Sequence, residues 1–190
     1  MKAERANSRN EALLVAAAEL FASQGFRATS MRDIAKAVNM LPGSIYYHFA
    51  SKDDLLLAIY AAGVEQITAT VEASVAPLKD PWKRLEAGTA ALVQAVTDEN
   101  AFTRVIFKVT PDEVPRYRAE LIALRDDFED KFDALVRALP LKRWVDPGLL
   151  KLMLLGAGNH AQLWFSPGGA RSAAEVGEQF CRFLRESVTR

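Results

Sequence analysis

Between residues 8 and 24 the apolar side chains Leu13, Leu14, Ala17, Leu20 and Phe21 recur every three or four positions, the spacing of one stripe along an α-helix. Gly25, which takes a left-handed backbone at no steric cost, is placed to end that helix. Ser30 with Asp33 three residues on is a start signal for a short helix bearing Met31, Ile34, Ala35 and Val38, and another helix is expected over residues 41–49. Ser51 with Asp54 repeats the signal and opens a long fourth helix reaching about residue 75, ahead of Pro77. Asp80-Pro81 and Asp146-Pro147 each set a capping carboxylate before a proline at the first helical position. Pro111 and Pro115 divide a helix over 101–109 from a long one over about 116–139. A penultimate helix is expected over 147–165, a loop over 166–169 and a last helix over 173–188. No stretch alternates apolar and polar residues long enough for a strand, so the expected fold is all-α, with about nine helices.

The three short helices within residues 8–49 have the layout of a helix-turn-helix, and the residue types sharpen that reading. Ala35 is small where the third helix must come close. Asn39 falls at the turn, and Asn tolerates a left-handed backbone better than any residue except Gly. Ile45 and Phe49 are spaced to bury against Ile34 and Val38. That leaves Pro42, Gly43, Ser44, Tyr46, Tyr47 and His48 facing outward, a set rich in hydrogen-bonding groups and free of acids. Charge supports the same end of the chain. Lys plus Arg and Asp plus Glu are 24 each, yet residues 1–52 hold seven basic against four acidic side chains, and the remainder is negative by the same margin. A positive head on a negative body suits nucleic acid at one end only.

The run Thr29-Ser30-Met31-Arg32-Asp33-Ile34-Ala35, followed by Gly43-Ser44-Ile45-Tyr46-Tyr47-His48-Phe49-Ala50-Ser51-Lys52, resembles the DNA-binding signature of TetR-family repressors. The resemblance covers the first quarter of the chain. It implies that Thr29, Ser30 and Arg32 meet phosphates, that Pro42, Gly43, Ser44 and Tyr46 sit at or in the major groove, and that Tyr47, His48 and Lys52 lie on the flanking backbone. Two positions depart from the family pattern: Asn39 stands where Gly is usual, and Pro42, where a polar residue is common, removes a possible base contact. The implied organisation is a DNA-binding domain over 1–52 and a ligand-binding and dimerisation domain over 53–190. The implied partners are double-stranded DNA, a small-molecule inducer and a second copy of the chain. A two-fold dimer would set two recognition helices roughly 34–36 Å apart, or a multiple of that, on a near-palindromic operator. The ligand would release the operator by changing the separation of the two heads, with the fourth helix as lever.

The rest of the chain is less explicit. Half of all residues are hydrophobic, enough for a sizeable core, and Phe102, Ile106, Met153, Asn159, His160 and Trp164 are the candidates to bind the ligand. Asn159 and His160 stand in an apolar helical stretch, where polar side chains need partners, either across a dimer interface or in a ligand. Trp164-Phe165-Ser166-Pro167-Gly168-Gly169, followed by Val176-Gly177 and Phe180, resembles the end of the ligand domain in a family branch that includes repressors of steroid and fatty-acid catabolism. That resemblance implies a hydrophobic, CoA-linked inducer. The last two helices resemble the family's dimerisation pair, with Gly156, Ala157, Gly158 and Ala161 small enough for close approach and Phe180 and Phe183 offering apolar surface.

No enzyme, metal or cofactor is expected. His48 and His160 each lack a second ligand at metal-binding spacing. Cys181, among Phe180, Phe183 and Leu184, reads as a buried apolar residue, and no phosphate loop or nucleophile motif is present. Two rival readings remain: a helical-bundle enzyme using His160, and a DNA-binding architectural factor without an inducer. The N-terminus has no secretory pattern and the one cysteine cannot pair within the chain, so a cytoplasmic location is expected. The most apolar run, over 149–165, is punctuated by Lys151, Asn159 and His160, so no membrane span is expected.

Overall fold

The computed structural model describes residues 2–98, 100–166 and 168–188, with side chains from Asn10 onward. The helices are α1 (Lys2–Gln24), α2 (Met31–Ala37), α3 (Pro42–His48), α4 (Lys52–Val75), α5 (Pro81–Thr97), α6 (Ala101–Lys108), α7 (Arg118–Arg137), α8 (Pro147–Asn159), α9 (Ala161–Trp164) and α10 (Ala173–Val188). No strand occurs among the described residues.

Four of the start signals in the sequence are side-chain caps. Ser30 Oγ accepts the Asp33 N–H, Ser51 Oγ that of Asp54, Asp80 that of Lys83, and Asp146 those of Gly148 and Leu149. Each satisfies amide groups that the first turn of a helix leaves without partners. Gly25 has φ +91°, so α1 ends where a left-handed residue was expected. Pro111 and Pro115 each begin a single 3-10 turn, Pro111–Glu113 and Pro115–Tyr117, between α6 and α7.

One expected helix is interrupted. The span over 147–165 is two helices, because α8 stops at Asn159 and His160 has φ −85° and ψ 2°. Gly156, Gly158 and Asn159 are poor helix formers in close succession, which weakens the last turn at that point. The most apolar long helix is α4 rather than this span: by length and composition α4 could cross a bilayer. One face of it is used within the protein, since Leu55, Leu56, Ile59, Tyr60, Ile67, Val71 and Val75 are buried.

Two compact units result. The first is Met1–Val64 with Glu99–Leu124, and the second is Glu65–Asp98 with Arg125–Arg190. They differ from a division after residue 52, since the beginning of α4, all of α6 and the start of α7 share the first unit with α1 to α3. In that unit Phe21, Ile34, Ile45, Leu55, Ile59, Val105, Val109, Val114 and Leu121 form one core. Fully burying such a side chain stabilises by about 1.5–3 kcal/mol before chain entropy is counted. Gly63 admits α6 closely, as a Cβ there would lie 3.1 Å from the Phe102 carbonyl oxygen.

The second unit is built on α5 and α10. A Cβ at Gly177 would lie 2.6 Å from the Glu86 carbonyl oxygen and 3.0 Å from the Ala90 Cβ, so only glycine permits this approach. Trp82, Leu85, Leu92, Phe132, Leu154, Val176 and Cys181 fill the interior. Lys142 closes the end of α10, its backbone N–H donating to the Val188 carbonyl and its ammonium to that of Ser187.

Candidate nucleic-acid interface

The turn between α2 and α3 fixes what α3 can present. Asn39 has φ +53°, the only positive φ outside glycine among the described residues. The Met40 N–H donates to the Ala35 carbonyl at 2.8 Å, and Ala35 is fully buried. Pro42 is the first residue of α3, where its missing N–H costs no hydrogen bond. Ile45 is 0% exposed and pins α3 to α1, α2 and α4 through the shared core.

With that face buried, the opposite face must point out. Pro42, Gly43 and Ser44 are exposed, Tyr46 is 54% and Tyr47 89% exposed, and His48 is half-buried with its ring edge-to-face against Tyr47 at 5.5 Å. A Cβ at Gly43 would meet nothing within 4 Å. The protein's own packing therefore does not require glycine there, and the position leaves room for something outside to approach the backbone. Ser30 and Arg32 are exposed at the start of α2. Ser30 is engaged with Asp33, whose carboxyl is held below its ordinary value by the Ser30 hydroxyl and amide. Arg27, with a side chain 78% exposed, and Lys36 add positive charge beside this face; neither was anticipated as a contact, and exposed basic residues next to a helix-turn-helix were the available signal.

Two of the expected contacts face inward. Thr29 is 1% exposed and its hydroxyl donates to the Gly25 carbonyl at 2.9 Å, so it ties off the end of α1 and has no free group for a phosphate. Lys52 reaches into the α1–α2 loop, donating to the carbonyls of Phe26 at 2.7 Å and Thr29 at 2.8 Å, with its ammonium 4.5 Å from the centre of the Phe26 ring. Burial pulls that ammonium below its ordinary value. These inner bonds hold the loop that presents Ser30 and Arg32.

The six candidate ligand residues divide between the two units. Phe102 and Ile106 are half-buried on α6 and pack on the core of the first unit beside Gly63. The other four belong to the second unit. Met153 and Trp164 are about half exposed, with Trp164 against Phe165 and Phe180. Asn159 is half-buried at the last position of α8. His160 is exposed at the helix break rather than inside an apolar helix, and its Nδ1 lies 2.9 Å from the Gly156 carbonyl oxygen.

A cavity of about 640 Å³ in the second unit involves none of these six. It is lined by the buried Val71, Val75 and Leu135, by Lys79, Arg84 and Lys131, and by Glu72, Asp127 and Asp130. Lys131 is already paired with Glu72 at 2.8 Å. A volume of this size matches small-molecule sites. On the outside of the same unit, Leu149, Leu152, Met153 and Leu163 are exposed at helical spacing along α8 and α9, and Phe183 is exposed on α10. No group of three or more potential metal ligands occurs among the described residues.

Comparison with known proteins supplies context for this geometry. Residues 13–59 match the bacterial regulatory proteins of the tetR family, and residues 78–188 match the tetracyclin repressor-like C-terminal domain. The chain is 29% identical over 197 residues to the HTH-type transcriptional repressor KstR2 of Mycobacterium tuberculosis, an alignment spanning 99% of this chain and 96% of that protein. It is 26% identical over 182 residues to the HTH-type transcriptional activator FasR of Mycolicibacterium smegmatis, spanning 92% and 81%. Among solved structures, AibR in complex with isovaleryl coenzyme A and operator DNA superposes with a TM-score of 0.77 at 25% identity, covering 92% of this chain and 97% of that one.

Proposed function

The chain belongs to the tetR family of bacterial regulatory proteins, DNA-binding regulators of transcription, and we propose that this member is a homodimeric repressor released from a palindromic operator by an acyl-CoA thioester. The observation that carries the DNA-binding half is the locked orientation of α3: Ile45 is wholly buried, so Gly43, Ser44, Tyr46 and Tyr47 face solvent together, with no acid among them. Residues 1–52 supply the contacts. Tyr46 and Ser44 enter the major groove with Gly43 against the backbone, Pro42 and His48 flank them, and Arg32, Ser30 and Tyr47 meet phosphates. Phosphate contacts then contribute much of the affinity, which makes it fall steeply with salt.

Residues 53–190 receive the ligand and the second copy. The apolar row Leu149, Leu152, Met153 and Leu163, joined by Phe183, is an exposed patch suited to a two-fold contact with its own copy. Trp164, Asn159 and His160 border it. The 640 Å³ cavity suits an amphipathic anion: Val71, Val75 and Leu135 accept an acyl chain, and Lys79 meets phosphates together with Arg84, whose guanidinium otherwise donates to the Leu78 carbonyl at 3.5 Å. Phe102 and Ile106 sit on α6, where a change in packing is felt by the head. Two relatives favour the ligand class and the sign of regulation. AibR was solved with isovaleryl coenzyme A and operator DNA, and KstR2 is a repressor, whereas FasR is an activator. This reading assigns the chain no reaction and places it in the cytoplasm with the chromosome.

The test begins with selection of duplexes from a random pool by the full-length protein. Enrichment of one inverted repeat, bound with nanomolar affinity that weakens with salt, is the expected result. Failure to enrich any sequence overturns the DNA-binding half. Titration of the enriched complex with isovaleryl-CoA and longer acyl-CoA esters should release the duplex, while free CoA should not; indifference to every ester overturns the ligand assignment alone.

A further inference from the structure

The first turn of α4 is a junction between two parts of the first unit. Lys52 points one way, into the carbonyls of the α1–α2 loop. Asp54 points the other way: its Oδ1 accepts a hydrogen bond from the hydroxyl of Tyr117 and lies 3.8 Å from the Arg116 guanidinium, while its Oδ2 accepts from Ser51 Oγ at 2.7 Å. Arg116 stacks over the Tyr117 ring, 5.0 Å from its centre. Tyr117 ends the second of the two proline-initiated 3-10 turns, and Val114 between those turns is 1% exposed in the same core as Ile45. The same stretch holds the α1–α2 loop through Glu113, 3.6 Å from Arg27, and α6 holds α1 through Arg104, 2.8 Å from Glu19.

The Tyr117 hydroxyl is not needed to satisfy Asp54. Asp54 is only half-buried, water can reach it, and the start of α4 is already capped by Ser51. What the bond adds is position. Only residues 49–51 separate the end of α3 from the start of α4, so wherever the first turn of α4 goes, the recognition face of α3 goes with it. Pro111 and Pro115 fix φ on the other side of the bond, which makes the stretch stiff enough to act as a support.

We propose that Tyr117 is a positioning residue for DNA recognition: by holding Asp54 it sets the angle at which α3 is presented, so the segment after α6 controls how well the head reads sequence. The inference rests on the DNA-binding reading above. It separates two properties, since loss of the hydroxyl should impair sequence reading while leaving charge-driven binding intact.

The experiment uses the full-length protein and anisotropy with the enriched duplex and a scrambled one. Tyr117→Phe should weaken binding to the enriched duplex about tenfold, the scale of one charge-assisted hydrogen bond, and change scrambled-duplex binding less than about twofold. Asp54→Ala, which removes the acceptor, should give the same loss, and the double variant no more than either single one. Amide exchange over residues 51–55 should quicken in Tyr117→Phe, with the mass of the protein in solution unchanged. Equal loss on both duplexes, no loss on either, additive losses in the double variant, or unchanged exchange at the first turn of α4 would each overturn the proposal. Should the wild-type protein enrich no duplex, the DNA-binding reading fails, and the exchange measurement still decides whether Tyr117 holds α4.

Discussion

Ile45 and Tyr46 are neighbours on a seven-residue helix, yet their substitution to alanine should have opposite consequences. Ile45 is 0% exposed and belongs to the core formed with Phe21, Ile34 and Leu55. Removing its three outer carbons loses transfer energy and leaves a cavity, for which the usual cost is about 2–5 kcal/mol. With a urea slope of about 1–3 kcal/mol/M, the unfolding midpoint of the unit should drop by roughly 1 M or more. Tyr46 is 54% exposed with no resolved partner of its own, so Tyr46→Ala should shift the midpoint by no more than about 0.5 kcal/mol equivalent. Its loss should instead be read on DNA. A good base-edge contact contributes about 1–3 kcal/mol, and a dimer makes it twice, so operator affinity should fall by about 30-fold or more. Urea titration by circular dichroism and anisotropy on the enriched duplex measure the two effects separately. If Tyr46→Ala lowers the midpoint as far as Ile45→Ala does, Tyr46 is a packing residue and the assignment of the outward face of α3 is wrong.

Gly177→Val should disrupt the α5–α10 pair, because its Cβ would lie 2.6 Å from a backbone oxygen; a fall in thermal midpoint and protease sensitivity within 173–188 are expected, and wild-type behaviour would show that α10 can shift without cost. Leu152→Glu puts a charge on the exposed α8 row, so light scattering should report a 21.0 kDa monomer with unchanged helicity; a dimer that survives would move the interface elsewhere. Burial pushes the Cys181 thiol up to about 12, with desolvation as the main cause and Glu86 nearby adding to it. At pH 8 the thiolate fraction is then about one in ten thousand, so iodoacetamide should alkylate the native protein far more slowly than the urea-unfolded chain; equal rates would contradict its burial.

The parts of the fold legible in the sequence were those written in short-range chemistry. Capping pairs such as Ser30 with Asp33 and Ser51 with Asp54 act within three residues, and Gly25 and Asn39 act at their own φ, so each could be read without knowing what lies across the molecule. The outward set on α3 was legible for a related reason, since burying Ile45 fixes its neighbours. Thr29 and Lys52, expected on phosphates, bond within the protein instead: Thr29 to the Gly25 carbonyl four residues back, and Lys52 to carbonyls remote in sequence. Nothing in the sequence around Lys52 announces that its ammonium turns back 26 residues to the Phe26 carbonyl. For the ligand candidates, composition identified apolar residues at helical spacing, but which residues line a cavity depends on how separate helices meet. None of the six lines the cavity bounded by α4, α5 and α7.

The segment that carries the DNA-binding signature and the segment that folds as a unit are therefore different. A boundary after residue 52 follows the signature of the head, but the core under that head includes Ile59 from α4, Val105 from α6, Val109 and Val114 from the connecting stretch, and Leu121 from α7. A fragment ending at residue 52 would expose Phe21, Ile34 and Ile45 on a surface from which nine buried residues of the same core had been removed. Because that core is shared, moving α6 or the stretch ending at Tyr117 would move part of the packing on which α3 rests.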